Sequence, residues 1–184
     1  MLVAIAAVLV VLASAANASM ARAQSPATIE LSFVRSFIGT CLQYFPDTAR
    51  VRQAASALKW SEIKNPDFRG MLGPADPKAK WQGWLMRVDG YAFFVGISES
   101  PDQGKTVRSC SLAADRVDLR TVYGTLESLV SLKKQLDFNE DGQRNQLWVY
   151  ARDADRFALM ATDGSPMKMN TLSLSITNAQ PKGR

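Results

Sequence analysis

Apolar residues recur every three or four positions from residue 31 to residue 45, which is the spacing of an amphipathic helix. The set consists of Leu31, Val34, Phe37, Ile38, Cys41, Leu42 and Phe45. Pro46-Asp47-Thr48 then ends this helix and supplies an N-cap for a second one. The apolar side of the second helix is formed by Val51, Ala54, Ala55 and Leu58. The pattern predicts two packed helices before any strand.

Alternating apolar and polar residues, typical of half-buried β-strands, follow further along the chain. Residues 84–88 and 91–97 predict two strands, and Asp89-Gly90 between them predicts a type I′ hairpin turn. A third strand covers residues 106–113, with Arg108, Cys110 and Leu112 on one face. These strands form an antiparallel meander.

A third helix is predicted after Asp115 or Asp118, either of which can cap it. Its apolar residues again have a period of 3.6, and they are Leu119, Val122, Tyr123, Leu126, Leu129 and Val130. Further strands follow at residues 147–152, 156–161 and 171–177. We therefore predict an α+β fold, with two N-terminal helices and a third central helix packed on an antiparallel sheet of about six strands.

Two blocks of the chain, residues 84–113 and 148–176, have the same order of elements. Each follows helical sequence and contains a strand, a turn with an aspartate, a strand, a longer turn and a strand. This order suggests a duplicated helix-plus-three-strand unit. An ordinary antiparallel meander gives the same spacing, and the blocks share few identical residues, so both interpretations stay open.

The first 23 residues have the pattern of a cleavable signal peptide. An apolar run from Met1 to Leu12 is too short to span a bilayer, and small residues follow it up to Ala21-Arg22-Ala23. Ala16-Asn17-Ala18 offers an alternative cleavage site, and a retained N-terminal anchor is the other interpretation, since no Lys or Arg precedes the apolar run. We predict a leader at 1–23, a single α+β domain at 24–184, and a periplasmic or secreted location.

Cys41 and Cys110 are the two cysteines of the chain. In an oxidising compartment an even pair predicts a disulfide, whereas two buried free thiols would fit a reducing one. Cys41 lies on the apolar face of the first helix, and Cys110 shares its strand face with Leu112. A bond between them would therefore clamp the first helix onto the sheet.

The formal net charge is +5, and loss of Arg22 with the leader lowers it to +4. The basic residues are dispersed, with Lys133-Lys134 as the one adjacent pair, and such dispersion does not favour nucleic-acid binding. No later stretch is apolar enough to span a membrane, so the mature chain is expected to have no transmembrane segment.

Residues 61–80 are rich in backbone breakers, namely Asn65-Pro66, Gly70, Gly73-Pro74 and Asp76-Pro77. This composition predicts a long loop, which is either functional or disordered. Trp60, Trp81 and Trp84 flank it. These indoles either pack under the loop as core or line a binding cleft.

The chain contains no histidine, which excludes Ser-His-Asp and Cys-His catalysis and the zinc motifs that use histidine. Five Glu and twelve Asp leave a carboxylate-dependent enzyme open, but the sequence does not indicate which two would face one cleft. We therefore assign no catalytic, cofactor-binding or metal-ligating residue and expect no cofactor. Enzyme activity stays uncertain and is the less favoured interpretation.

Three short motifs resemble functional ones. Asp137-x-Asn139-x-Asp141-Gly142 has the ligand spacing of a calcium loop, but Trp148 stands where a bidentate Glu is needed, so calcium binding and a polar turn both stay open. Gly104-Lys105-Thr106 resembles the end of a phosphate-binding loop, yet Glu99 replaces its first glycine, which favours a turn. Turn chemistry also accounts for Asp153-Ala154-Asp155.

The leader ending Ala-Arg-Ala-Gln, the helix with Phe37-x-x-x-Cys41 and the Trp-rich strands resemble small secreted or periplasmic bacterial proteins to which no activity is attached. The resemblance implies an exported, disulfide-bonded protein. We expect a non-enzymatic binding or accessory protein whose partner is another envelope or secreted protein. The alternatives are a carboxylate-dependent glycan hydrolase and an inhibitor or immunity-type partner of a secreted toxin.

Overall fold

The computed structural model describes residues 27–65, 68–69, 73, 76–140, 142–164 and 171–179. In these ranges the helices are α1 (Ile29–Phe37), which continues into a π-helical turn (Ile38–Leu42), α2 (Thr48–Ala57) and α3 (Leu119–Leu129). The strands are β1 (Ser61–Glu62), β2 (Lys80–Val88), β3 (Tyr91–Asp102), β4 (Lys105–Asp115), β5 (Leu132–Glu140), β6 (Gln143–Arg152), β7 (Asp155–Asp163) and β8 (Thr171–Thr177).

All eight strands form one antiparallel sheet in the order β1-β2-β3-β4-β8-β7-β6-β5. Each half of the chain contributes a four-stranded meander, because hairpins place consecutive strands side by side. The two meanders meet where β4 pairs with β8, with Ser111 opposite Ser175 at the middle of that pair. The last strand of each half is therefore central, and the first strand of each half is an edge.

The two halves share one pairing register. Residues 80–88 of β2, 91–99 of β3 and 108–113 of β4 have counterparts 64 residues later in β6, β7 and β8, and these counterparts pair alike. The matching pairs are Trp84–Val95 with Trp148–Leu159, and Val95–Leu112 with Leu159–Ile176. Asp89 and its counterpart Asp153 both have positive φ, of 53° and 56°, at the turns that begin the second strand of each set. The predicted three-strand blocks thus correspond to β2–β4 and β6–β8, and each block is preceded by one further strand, β1 or β5.

The helices cover one face of the sheet, which we call the helix face. Phe33 of α1 packs edge-on against Phe93 of β3, and Tyr123 of α3 packs against Trp148 of β6, at ring-centroid distances of 5.6 and 5.2 Å. Arg152 of β6 donates hydrogen bonds to main-chain carbonyls at the end of the π-helical turn, including that of Phe45. α1 together with the π-helical turn and the residues up to Phe45, which we call the α1 segment, therefore extends from the first half of the sheet to the second.

The disulfide between Cys41 and Cys110 joins the π-helical turn to the central strand β4, with 5.4 Å between the two Cα atoms. Both residues are buried. Cys110 lies between Ile97 of β3 and Ile176 of β8 in the sheet register. The predicted clamp of the first helix onto the sheet is confirmed.

The α+β class, the two N-terminal helices and the central third helix are also confirmed. The prediction of about six strands is wrong, because the sheet has eight. The two-residue strand β1 is too short to leave a pattern, and β5 is an exposed edge strand in which most positions are polar. An edge strand exposed on both faces has no need to alternate.

The predicted leader at 1–23 and its cleavage sites lie outside the described residues, and the single-domain assignment for 24–184 stays a prediction. Asp47 and Asp118 act as the N-caps of α2 and α3, each accepting a main-chain hydrogen bond from the first turn. Among the described helices, none is both long and apolar enough to cross a membrane.

Replacing both cysteines by serine is expected to lower the free energy of unfolding by up to about 4 kcal/mol, since the bond closes a loop of 69 residues. Urea denaturation of the wild type and the double variant measures this difference. Chemically reduced wild-type protein serves as the control and should match the variant. A difference below about 1 kcal/mol would contradict the role assigned to this clamp.

Candidate functional site

The face of the sheet opposite the helices, which we call the open face, carries an unusual row of side chains. Residues directly opposite one another in neighbouring strands form a line across seven strands: Leu136, Leu147, Met160, Ser175, Ser111, Gly96 and Gly83. Large apolar side chains occupy the β5–β7 end of this line, and small ones occupy the rest. The two halves of the open face are therefore chemically different.

The chain covers the first half of its own open face. The Phe68 ring packs on the Phe94 ring of β3 at 5.0 Å between centroids. Arg69 donates hydrogen bonds to three main-chain carbonyls, those of Asp76, Pro77 and Ala79, over 3.0–3.1 Å. These contacts fold the loop after β1 back over the sheet.

Trp81 completes this cover, because its indole lies across Gly83. A Cβ atom added at Gly83 would come within 2.5 Å of the Trp81 ring, so only glycine admits the ring there. Trp84, the residue directly after Gly83, lies on the opposite side of the strand, on the helix face, and is buried. The described part of the 61–80 loop is thus packed against an aromatic surface, which favours the core interpretation of Trp81 and Trp84.

The second half of the open face exposes Leu136 of β5 and Met160 of β7, which are 56% and 36% exposed. Half-buried Leu147 of β6 lies between them in the register. We call these three residues the apolar row. Large exposed apolar side chains that adjoin one another on a flat sheet are typical of a docking surface, whereas isolated ones are ordinary.

A groove of about 360 Å³ adjoins the apolar row and carries positive charge. We call it the basic groove. Its lining consists of Ser131, Leu132, Lys133, Gln135, Val149, Ala151 and Arg156. Lys133 pairs with Val149 and Arg156 pairs with Ala151, so both cations lie on the open face on either side of β6. Among the described residues neither cation forms a salt bridge.

The edge of the sheet beside this surface is protected against pairing with another strand. The β5–β6 register shifts between Lys134 and Leu136, which marks a β-bulge in β5. Bulges and lysines on an edge strand hinder the addition of a further strand. A ligand on this side of the molecule is therefore expected to bind to the open face and not to the edge.

A second polar site lies on the helix face, where α2 meets the sheet. The Glu99 carboxylate of β3 accepts a hydrogen bond from the Thr48 hydroxyl and lies 3.5 Å from Arg52 and 3.9 Å from Arg108. The Thr48 hydrogen bond, and then the two arginines, lower the pKa of Glu99 against the opposing effect of burial. A carboxylate kept ionised in this way anchors α2 electrostatically and is a poor proton donor.

The Asp137, Asn139 and Asp141 motif is part of the β5–β6 hairpin, and Asp141 lies outside the described residues. Arg144 binds the Asp137 carboxylate with two hydrogen bonds of 3.2 and 3.0 Å, and Lys134 adds a third contact at 3.1 Å. The Arg144 bond, with Lys134, lowers the pKa of Asp137 to about 2. Cations already occupy this carboxylate, so the structure favours the polar-turn interpretation.

The remaining motifs form turns. Gln103 and Gly104 have positive φ in the β3–β4 hairpin, so Gly104-Lys105-Thr106 begins a strand, as the turn interpretation expects. Asp153 and Ala154 connect β6 to β7. Sequence reasoning missed the apolar row, because β5 was not predicted as a strand and Leu136 therefore had no assigned face. The one signal for this face in the sequence was in β6, where Leu147, Val149 and Ala151 alternate with Trp148, which is buried on the other face.

Glu99→Gln is expected to lower the free energy of unfolding by less than about 1 kcal/mol near pH 7, because the charged contacts are partly solvated. Since the folded pKa of Glu99 is lowered, its contribution is present above the unfolded pKa and disappears as pH falls through the folded one. The difference from wild type should therefore be largest near pH 7 and shrink as the pH falls below the ordinary glutamate value of about 4.3. Urea denaturation from pH 3 to 7 measures it, with Glu140→Gln, on an exposed strand position, as control. A pH-independent difference would contradict the assignment.

Comparison of this chain with models of protein families, with curated proteins and with solved structures gives no significant match.

Proposed function

We propose that this protein works outside the cytoplasm, in the periplasm or after secretion, as a non-enzymatic accessory protein that binds another protein through the apolar row. The predicted leader and the buried Cys41–Cys110 disulfide support the location, because such bonds persist in oxidising compartments. The observation that carries the binding role is the exposure of Leu136 and Met160 side by side with Leu147 on the open face.

The difference between the two halves strengthens this proposal. Both halves have the same strand register, yet Phe68 and Trp81 cover the first half of the open face. In the second half the described residues leave Leu136 and Met160 accessible. When a partner removes these apolar side chains from water, the free energy of the complex falls by about 25 cal/mol for each Å² of apolar surface buried.

The first experiment compares two double variants of the mature protein. Leu136→Thr with Met160→Thr removes the exposed part of the apolar row. Threonine is chosen because it is β-branched and therefore compatible with a strand. Leu58→Gln with Leu129→Gln removes two other exposed leucines, 66% and 54% exposed, which lie at the ends of α2 and α3. Equal urea midpoints for both variants and wild type establish that each is folded.

We expect one protein from the native envelope or secreted fraction to form a stoichiometric complex with wild type and with the Leu58/Leu129 control. Its affinity for the Leu136/Met160 variant, measured with both purified components, should be at least tenfold weaker. Equal affinity for all three proteins would contradict the proposal. Concentration-dependent self-association that is lost in the same variant would also contradict it, since the row would then be a dimer contact.

A further inference from the structure

We infer that the partner contributes an extended segment in which a large apolar residue lies two to four positions from a carboxylate side chain. This inference rests on the proposed function and adds the chemistry of the ligand. The apolar row would bind the apolar side chain, and Lys133 and Arg156 of the basic groove would bind the carboxylate.

The spacing follows from the geometry of β6. Leu147 of the apolar row, Val149 and Ala151 lie on the same face of the strand, because alternate residues of a strand share a face. Each step of two residues advances about 6.7 Å. Lys133 pairs with Val149 and Arg156 with Ala151, so the cations lie one and two such steps from Leu147.

The charge of the ligand follows from the composition of the basic groove. Its seven lining residues include two cations and no acid. The acidic neighbour Asp137 belongs to the helix face, where it contacts Lys134 and Arg144. Two cations that flank β6 without a facing anion favour an anionic group, and both lysine and arginine side chains bind carboxylates.

The apolar requirement follows from the covered half of the same sheet. There the chain supplies its own cover, with Phe68 packed on Phe94. That contact shows that the open face of this sheet accepts an aromatic side chain from a covering segment. A partner segment with an aromatic residue would cover the apolar row in a similar way.

The test uses a synthetic probe, acetyl-Gly-Ser-Asp-Ser-Phe-Ser-Asp-Ser-Gly-amide, whose two acids make it independent of the direction of binding. Binding to ¹⁵N-labelled mature protein is followed by amide chemical shifts at millimolar probe. We expect shifts confined to β5, β6 and β7. Replacing both acids of the probe by Asn, or its Phe by Ser, should weaken binding at least fivefold.

Variants of the protein give the reciprocal test. Lys133→Gln with Arg156→Gln should weaken probe binding at least fivefold, whereas Arg87→Gln with Lys105→Gln, which removes two exposed cations elsewhere, should leave it unchanged. Equal binding of the acidic and Asn probes would overturn the inference. Tighter binding of phosphatidylglycerol vesicles than of the probe, dependent on Lys133 and Arg156, would also overturn it, because the groove would then recognise a lipid.

Binding measurements with the natural partner distinguish this inference from the proposed function. If the partner binds the Lys133/Arg156 variant as tightly as wild type but loses affinity for the Leu136/Met160 variant, the charge inference fails and the docking role stands. If the partner binds the Leu136/Met160 variant as tightly as wild type, the docking role fails as well.

Discussion

The antiparallel pairing of β4 with β8 is the interaction on which the rest of the structure depends. It joins two four-stranded meanders, from distant parts of the chain, into one sheet with a continuous helix face and a continuous open face. The disulfide lies at the same pair of strands, because Cys110 of β4 is opposite Ile176 of β8. One covalent bond thus fixes the α1 segment over the junction of the halves.

The two halves that meet at this junction have matching strand registers, and they differ in one connection. A constant offset of 64 residues relates the register of β2–β4 to that of β6–β8, and Glu99 of β3 has the acidic counterpart Asp163 in β7. Equal register in both halves supports a duplicated unit over an unrelated meander, since a meander alone does not require it. The difference lies in the connection before β2, which folds back over the open face, and it leaves the surface of β5 to β7 accessible.

Much of the helix face could be predicted from the sequence, because burial on one side imposes a regular pattern. Val34, Phe37 and Cys41 followed the helical period, and Cys110 and Leu112 alternated in their strand. Pairing across long separations, such as Leu112 with Leu174, leaves no local trace. Strand β5 is solvated on both sides, so no burial constraint shaped its sequence. The candidate surface depends on β5 and on pairing between strands, and it could therefore not be predicted from the sequence.

A photo-crosslinking side chain placed at position 136 of the exported protein, in intact producing cells, tests the docking role most directly. We expect a crosslink to one other protein at position 136 and none at position 58, which lies at the end of α2 and is even more accessible. Crosslinks of equal yield at both positions, or a product composed only of two copies of this chain, would contradict it.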